Sequence, residues 1–426
     1  NGRVVLNLVG DPQRRVYVRR INVSGNSRSR DEVVRREFRQ FESSWYDGRK
    51  IKLSRDRVDR LGYFSEVNID TSEVPGSADQ VDLTLTVKEK PTGNLMLGVG
   101  FSSADKLALT MSVKQDNIFG SGHYLGLDIN TSKSQFTVAL STSDPYYTVD
   151  GISRSFDVYY RTTKPLNSRG EDYKLITPGG SVRFGVPFTE YDTVFFGVGY
   201  EQTTIEGRDN MPDSYFRYRK QFGPTSTSFP LTIGWTRDLR DSALVPTEGS
   251  FQRANVDVGI VGDQRYFKTD LQYQQYFTPI RRFTLAINAQ AGYGRGLMGR
   301  DYPIFKNFFG GGLGTVRGFE QGSLGQVDNV GAFIGGNRRL NVNTELYVPL
   351  PGTGNDRTLR LFTYFDVGNV WAVEDKLTFD SLRASAGLGI SWVSPVGPLK
   401  VSYGSPVKKL PTDRIQKLQF QIGTAF

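Results

Sequence analysis

The 426-residue chain has no cysteine and a single histidine, His123. The first absence excludes a disulfide framework, a thiolate metal site and a cysteine nucleophile. The second removes the basis for a histidine-built metal centre or a Ser-His-Asp triad, so no metal or other cofactor is expected and the chain is not read as an enzyme. No run approaches the about eighteen consecutive apolar residues that a membrane-spanning helix needs. Barrel strands stay open as a possibility, because they alternate and never make such a run. What is present is glycine, 47 residues, with aromatics at 12% and charged residues at 23%, a balance that excludes disorder as the main state. A net charge of +9 could suggest nucleic acid, but residues 1–90 hold 18 basic and 14 acidic side chains, leaving +4 there and +5 over the remaining 336 residues. With no long run of one sign, this reads as a mixed, solvated surface, and nucleic acid is not an expected partner.

Charge density divides the chain: 32 of the first 90 residues are charged, against 65 of the last 336. The opening Asn1-Gly2-Arg3 has neither methionine nor signal peptide and reads as the continuation of a longer chain. Val4 to Val9 resembles the last strand of a preceding module, so 1–15 is assigned to that module's tail. Val16 to Val23 is β-rich and ends at the Gly25-Asn26 turn. Val34, Phe38 and Phe41 then fall on one face of a helix behind Ser29 and Asp31 as candidate caps, and Ile51, Val58 and Leu61 form a second helical face ending at Gly62. Two strands follow, Val67 to Val74 and Val81 to Val87, split by Pro75-Gly76-Ser77. This β-α-α-β-β order predicts a small α/β module over 16–92, with two helices covering a three-stranded sheet.

From residue 93 to 426 no helical period stands out, while period two recurs. Phe283, Leu285, Ile287, Ala289, Ala291 and Tyr293 alternate with small or polar residues; Leu382, Ala384, Ala386, Leu388, Ile390 and Trp392 do the same. About sixteen such segments predict an all-β transmembrane barrel of antiparallel strands. A soluble sandwich also alternates, but sixteen strands exceed one such core, and the second face here is Gly, Ser, Asn and Gln. Aromatic pairs such as Tyr159-Tyr160 and Tyr276-Phe277 are placed at an interfacial girdle.

A polar constellation falls on two late strands. With Leu340, Val342, Leu346 and Val348 toward lipid, Glu345 faces the bore; with Leu359, Leu361 and Val367 outward, Asp366 does too. Two carboxylates on adjacent inner walls need a cation or water. Arg317 lies in a long loop, about 294–336, beside Gly310-Gly311-Gly312 and Gly314, which allow close backbone packing. Its planar guanidinium could bind both acids and pin the loop in the bore. The residues alone leave open the alternative of an exposed arginine and two separately hydrated carboxylates. The glycine run lacks the Lys-Ser/Thr and helix of a phosphate cradle. Asp241 with Pro246-Thr247-Glu248-Gly249 reads as a tight turn.

The module followed by a sixteen-strand barrel resembles the POTRA-plus-barrel superfamily of outer-membrane β-barrel assembly factors. The resemblance is carried by Leu61-Gly62-Tyr63-Phe64, by Gln115 to Gly120 and Asp144-Pro145-Tyr146-Tyr147, and by Val316-Arg317-Gly318-Phe319, which matches the family's lumen-inserted sixth loop. The alternating terminal strand Leu418, Phe420, Ile422, Thr424, Phe426 completes it. It covers essentially the whole chain; the cysteine pair some relatives carry in this loop is missing. The resemblance implies the Arg317–Glu345–Asp366 clamp. It also implies assembly and insertion of β-barrel proteins into the bacterial outer membrane, without nucleotide, with the module in the periplasm. Unfolded outer-membrane protein clients, accessory lipoproteins and outer-membrane lipid are the expected partners, and Arg35, Arg39 and Glu42 form a candidate salt-bridged docking face. The barrel must close its first strand, about 94–103, on its last, about 416–426. Gly98, Gly100 and Gly423 would weaken that seam, ending at Phe426, so that it opens sideways and offers unpaired backbone to an incoming strand. A two-partner secretion transporter, exporting one dedicated client, is the alternative.

Overall fold

A computed structural model describes residues 15–164, 173–189, 191–207, 211–242, 245–280, 282–329, 331–350, 358–372, 375–394 and 397–422. The expected strand Val4 to Val9 therefore lies outside the described residues, as do Gly423 and Phe426. Two compact units are present: residues up to Asn94 together with Lys114–Leu125, and Leu95–Val113 together with Gly126 onward.

The first unit has strand β1 (Tyr17–Ser24), helices α1 (Asp31–Arg35) and α2 (Gly48–Arg60), and strands β2 (Phe64–Glu73) and β3 (Gln80–Glu89). The sheet order is β1-β3-β2, with β1 parallel and β2 antiparallel to β3. Alternation in β3 sends Val81, Leu83, Leu85 and Val87 into a core with Val18, Ile21, Val33, Val34 and Val58. Burying each such side chain contributes about 1.5–3 kcal/mol. Asp47 caps α2 by accepting the Arg49 N–H at 2.9 Å. Gly25, after β1, has φ +88, and a Cβ there would strike the Val87 carbonyl, so the turn requires glycine.

The first helix departs from expectation. It stops at Arg35, and neither Ser29 nor Asp31 caps it; the N-cap is Arg30, with no side-chain bond. Ser54 of α2 explains the stop, because its hydroxyl accepts the N–H groups of Arg39 and Gln40 that a longer helix would have used internally. The chain then runs back along β1, where Val18 and Ser43–Ser44 exchange backbone bonds, leaving Phe41 63% exposed rather than in the core.

The second unit is a closed barrel of sixteen strands joined in chain order, with the last, Leu418–Ile422, meeting the first, Gly93–Ser102. Its polarity is inverted relative to a sandwich. Leu340, Leu346, Phe365, Leu388, Ile390 and Trp392 are exposed, while Asn341, Asp366, Ser385 and Gln419 are buried. An apolar outside around a polar bore suits lipid, not water. Two expectations need correction. Tyr159 turns inward and donates to Glu201 at 3.2 Å, and Tyr276 packs inward against Tyr347, Phe362 and Tyr364, because parity places each opposite an exposed neighbour, Tyr160 and Phe277. A helix, α3 (Asp213–Phe222), also sits between two barrel strands, where no helical period was expected; Tyr215 and Tyr218 bury one face against Tyr173 and Ile205.

Candidate functional site

The sixth connection on its side of the barrel, a long loop, runs between the strands Phe283–Gly296 and Arg338–Pro349. Short turns shape it: Gly312 N–H donates to Val316 O at 3.0 Å, and Thr315 N–H donates back to Gly312 O at 3.1 Å. Gly311 and Gly312 have φ near +97, and Gly310 packs against Val370 and Leu324. Gly314, by contrast, has open space around it, so close packing does not explain that glycine. Beyond this turn Val316, Arg317, Gly318 and Phe319 are all buried. Gly318 has φ +83, a conformation that turns the backbone so that Arg317 faces one wall while Phe319 packs with Val316 and Leu324.

Pairing of Arg338–Pro349 with Leu359–Trp371 sets Asn343 opposite Asp366 and Glu345 opposite Tyr364. Both carboxylates thus project from adjacent strands at nearly one height. Asp366, 0% exposed, accepts three bonds from Arg317: the backbone N–H at 3.0 Å, Nε at 2.7 Å and Nη2 at 2.6 Å. Glu345 accepts from Nη1. Arg317 is 1% exposed, and its guanidinium lies over the Tyr364 ring, 3.7 Å from the centroid. The structure therefore brings Arg317, Glu345 and Asp366 together.

Several partners went unnoticed in the sequence. Lys400, on the strand Gly397–Lys408, donates to Glu345 at 2.9 Å, and the Tyr347 hydroxyl donates to the same carboxylate. The cluster is thereby two cations against two carboxylates, as burial of charge demands. Lys400 sits between the apolar Leu399 and Val401, so its parity was available as a signal. A second anchor of the same loop is Lys306, whose Nζ donates to Glu201 at 2.7 Å. Lys268 Nζ and the Tyr302 hydroxyl both donate to the Lys306 carbonyl, at 3.0 and 2.9 Å. Gln419 touches the Gly318-Phe319 backbone from the last strand.

The other expected positions are more scattered. Gly98 is half-buried and Gly100 buried, inward between exposed Leu97, Val99 and Phe101. The first and last strands pair, among described residues, at Ser102 with Gln421 and Phe101 with Ile422, and Phe101 stacks on Phe420 at 5.7 Å. Arg35, Arg39 and Glu42 do not share a helix face, since α1 has ended. Arg35 pairs with Asp31 and, at 3.7 Å, with Glu42; Glu42 accepts the Ile21 N–H at 2.8 Å, and Arg39 donates to the Arg36 and Phe38 carbonyls. Asp241 holds its turn by accepting the Thr247 and Glu248 N–H groups. Burial pushes its carboxyl up, but the Thr247 hydroxyl and these N–H groups pull it below the ordinary range. Among the described residues no three histidine, aspartate or glutamate side chains gather to hold a metal ion.

A small α/β module joined to a sixteen-strand barrel, with a long loop bound inside the bore through an arginine, defines a membrane-barrel class of protein. The chain belongs to the Omp85 superfamily: the Omp85 superfamily domain matches residues 117–426. A POTRA model, described as a surface antigen variable number repeat, matches 16–90. The chain is 39% identical to the outer membrane protein assembly factor BamA of Neisseria meningitidis, over 98% of this chain and 57% of that protein. It is 31% identical to BamA of Nitratidesulfovibrio vulgaris, over 93% and 49%. The chain spans about half the length of these curated relatives. Among solved structures, Haemophilus ducreyi BamA lacking POTRA domains 1–3 superposes with a TM-score of 0.84 at 28% identity, covering 97% of this chain and 85% of that one. CdiB from Acinetobacter baumannii gives 0.61 at 13% identity, covering 96% and 73%, a likeness of fold alone.

Proposed function

We propose that this chain is the membrane-embedded part of a factor that assembles and inserts β-barrel proteins into the bacterial outer membrane, with its amino-terminal module in the periplasm. The relatives named as assembly factors support the general role. The finer reading is a lateral seam between the first and last strands, worked without nucleotide, with the sixth loop held in the bore by Arg317, Glu345 and Asp366. One observation carries it: the segment just ahead of the last strand, Ile415–Gln416, pairs with Phe319 and Gly318, so the loop bound in the bore is joined directly to the strand that closes the barrel. In this reading the seam opens sideways and presents free N–H and C=O groups to a client strand. Unfolded outer-membrane proteins are the clients, accessory lipoproteins dock on the module, and outer-membrane lipid receives the product. Gly98, Gly100, Gly423 and Phe426 belong to the seam in this reading.

The absence of native cysteine makes the test clean. Ser102→Cys with Gln421→Cys should crosslink on oxidation, abolish client insertion in proteoliposomes and restore it on reduction. Normal insertion by fully locked, folded protein sinks the seam. Steady large conductance in a planar bilayer without client folding would instead favour an export pore.

A further inference from the structure

We infer that Gln419 is a positioning residue that couples the buried loop to the closing strand, so that clamp and seam move as one unit. Gln419 lies on the last described strand and is 1% exposed. Its Nε2 donates to Phe319 O at 2.6 Å, and its Oε1 accepts the Gly318 N–H at 3.3 Å. One primary amide thus satisfies both a donor and an acceptor of the backbone immediately after Arg317. The same contact continues beside it. Gly318 and Phe319 pair antiparallel with Gln416 and Ile415, Glu320 N–H donates to Arg414 O at 2.9 Å, and Arg414 faces Glu320 at 3.7 Å.

The residues Val316 to Glu320 are therefore gripped from two sides. Asp366 and Glu345 hold them to one pair of wall strands, and the segment 414–419 holds them to the strand that closes the barrel. Outward movement of that strand must either break the two Gln419 bonds and the short ladder or pull the Arg317 turn away from Asp366. Linkage makes the effect reciprocal: whatever loosens the clamp loosens the seam by the same factor, and the converse. The sixth loop on this account is a latch that reads the state of the seam. This inference deepens the seam reading above and rests on it.

The test uses the full chain carrying Ser102→Cys and Gln421→Cys, in bilayers, restricted to protein that keeps the heat-modifiable mobility of a folded barrel. Gln419→Leu keeps the volume and removes both bonds. It should change the rate of seam disulfide trapping, and raise amide exchange at Gly312, which contacts neither Gln419 nor the seam, on the order of tenfold. Arg317→Lys should change trapping in the same direction, and the double variant should go no further than the stronger single one. Unchanged trapping with Gln419→Leu, or full additivity of the two substitutions, overturns the coupling. Should Gln419→Leu not fold, exchange in the chain without the leucine decides. The Arg317 and Glu320 amides must then open together, and separate opening overturns the proposal. Client insertion is scored apart: coupled trapping alongside normal insertion by the locked protein would retain the latch and remove the gate.

Discussion

The two carboxylates of the clamp are not equivalent, and their difference is measurable. Asp366 takes three of the four bonds that Arg317 gives to carboxylates, and it is fully buried. Asp366→Ala leaves a buried guanidinium with one acceptor and an aromatic face, and truncating one partner of a buried pair costs about 3–5 kcal/mol. Glu345→Ala leaves the bidentate Asp366 contact in place, and the freed Lys400, with 32% of its side chain exposed, can be hydrated. The Lys400 and Tyr347 bonds to Glu345 come from the barrel wall, so the loss to the loop itself is one hydrogen bond to a charged group, about 1.5–3 kcal/mol. At 1.4 kcal/mol per decade, Asp366→Ala should lower the hydrogen-exchange protection of the Gly312 and Glu320 amides by about two to three and a half orders of magnitude, and Glu345→Ala by about one to two. Mass spectrometry of the loop peptide in bilayer nanodiscs reads both values. Equal effects, or a larger effect from Glu345, would refute the ranking and the division of bonds behind it.

Three further outcomes are expected. Gly318→Ala forces an L-residue to φ +83, at about 1–2 kcal/mol, and should lower protection of the same peptide about tenfold; unchanged protection would contradict the need for glycine. Lys306→Met leaves Glu201 without its cation, though not without the Tyr159 hydroxyl, and should speed exchange over Ile304–Phe308 while Val316–Glu320 stays protected; an equal rise in both segments would show a single anchor. Glu89 accepts the N–H groups of Arg28 and Ser29 and the Ser27 hydroxyl; burial pushes its carboxyl up, but these donors pull it below the ordinary range. A depressed carboxylate stabilises the fold above its unfolded pKa, about 4.3, and loses that contribution as pH falls through the lower folded value. Protection of the Arg28 and Ser29 amides should therefore drop in acid, and Glu89→Gln should flatten the dependence.

Parity made most of the barrel legible. Leu340, Val342 and Leu346 facing lipid force Glu345 inward, and the same rule applied to Leu359, Leu361 and Val367 turns Asp366 inward. Lys400 and Gln419 obey that rule too, but parity gives only the face, and their partners sit on strands or loops far away in sequence. Helix α1 was misjudged because a hydroxyl on another helix, Ser54, captured its next N–H groups. Tyr215, Tyr218 and Phe222 carry a helical spacing in a segment too short to stand out between long strands. The assignment of Tyr159 to a girdle failed where parity, properly applied against Tyr160, would have succeeded.

Lys306 is fixed to the strand Asp192–Gly207, and Arg317 to Arg338–Pro349 and Leu359–Trp371, with four strands lying between those two attachments. The chain between them is shortened by its own turn at Gly312 to Val316 and works as a spoke across one side of the hoop. A spoked arc resists becoming oval. Any change of cross-section is therefore concentrated in the unbraced arc, the strands from Gly93 to Pro187, and the seam lies at the edge of that arc, where it meets the closing strand that Gln419 ties to the loop.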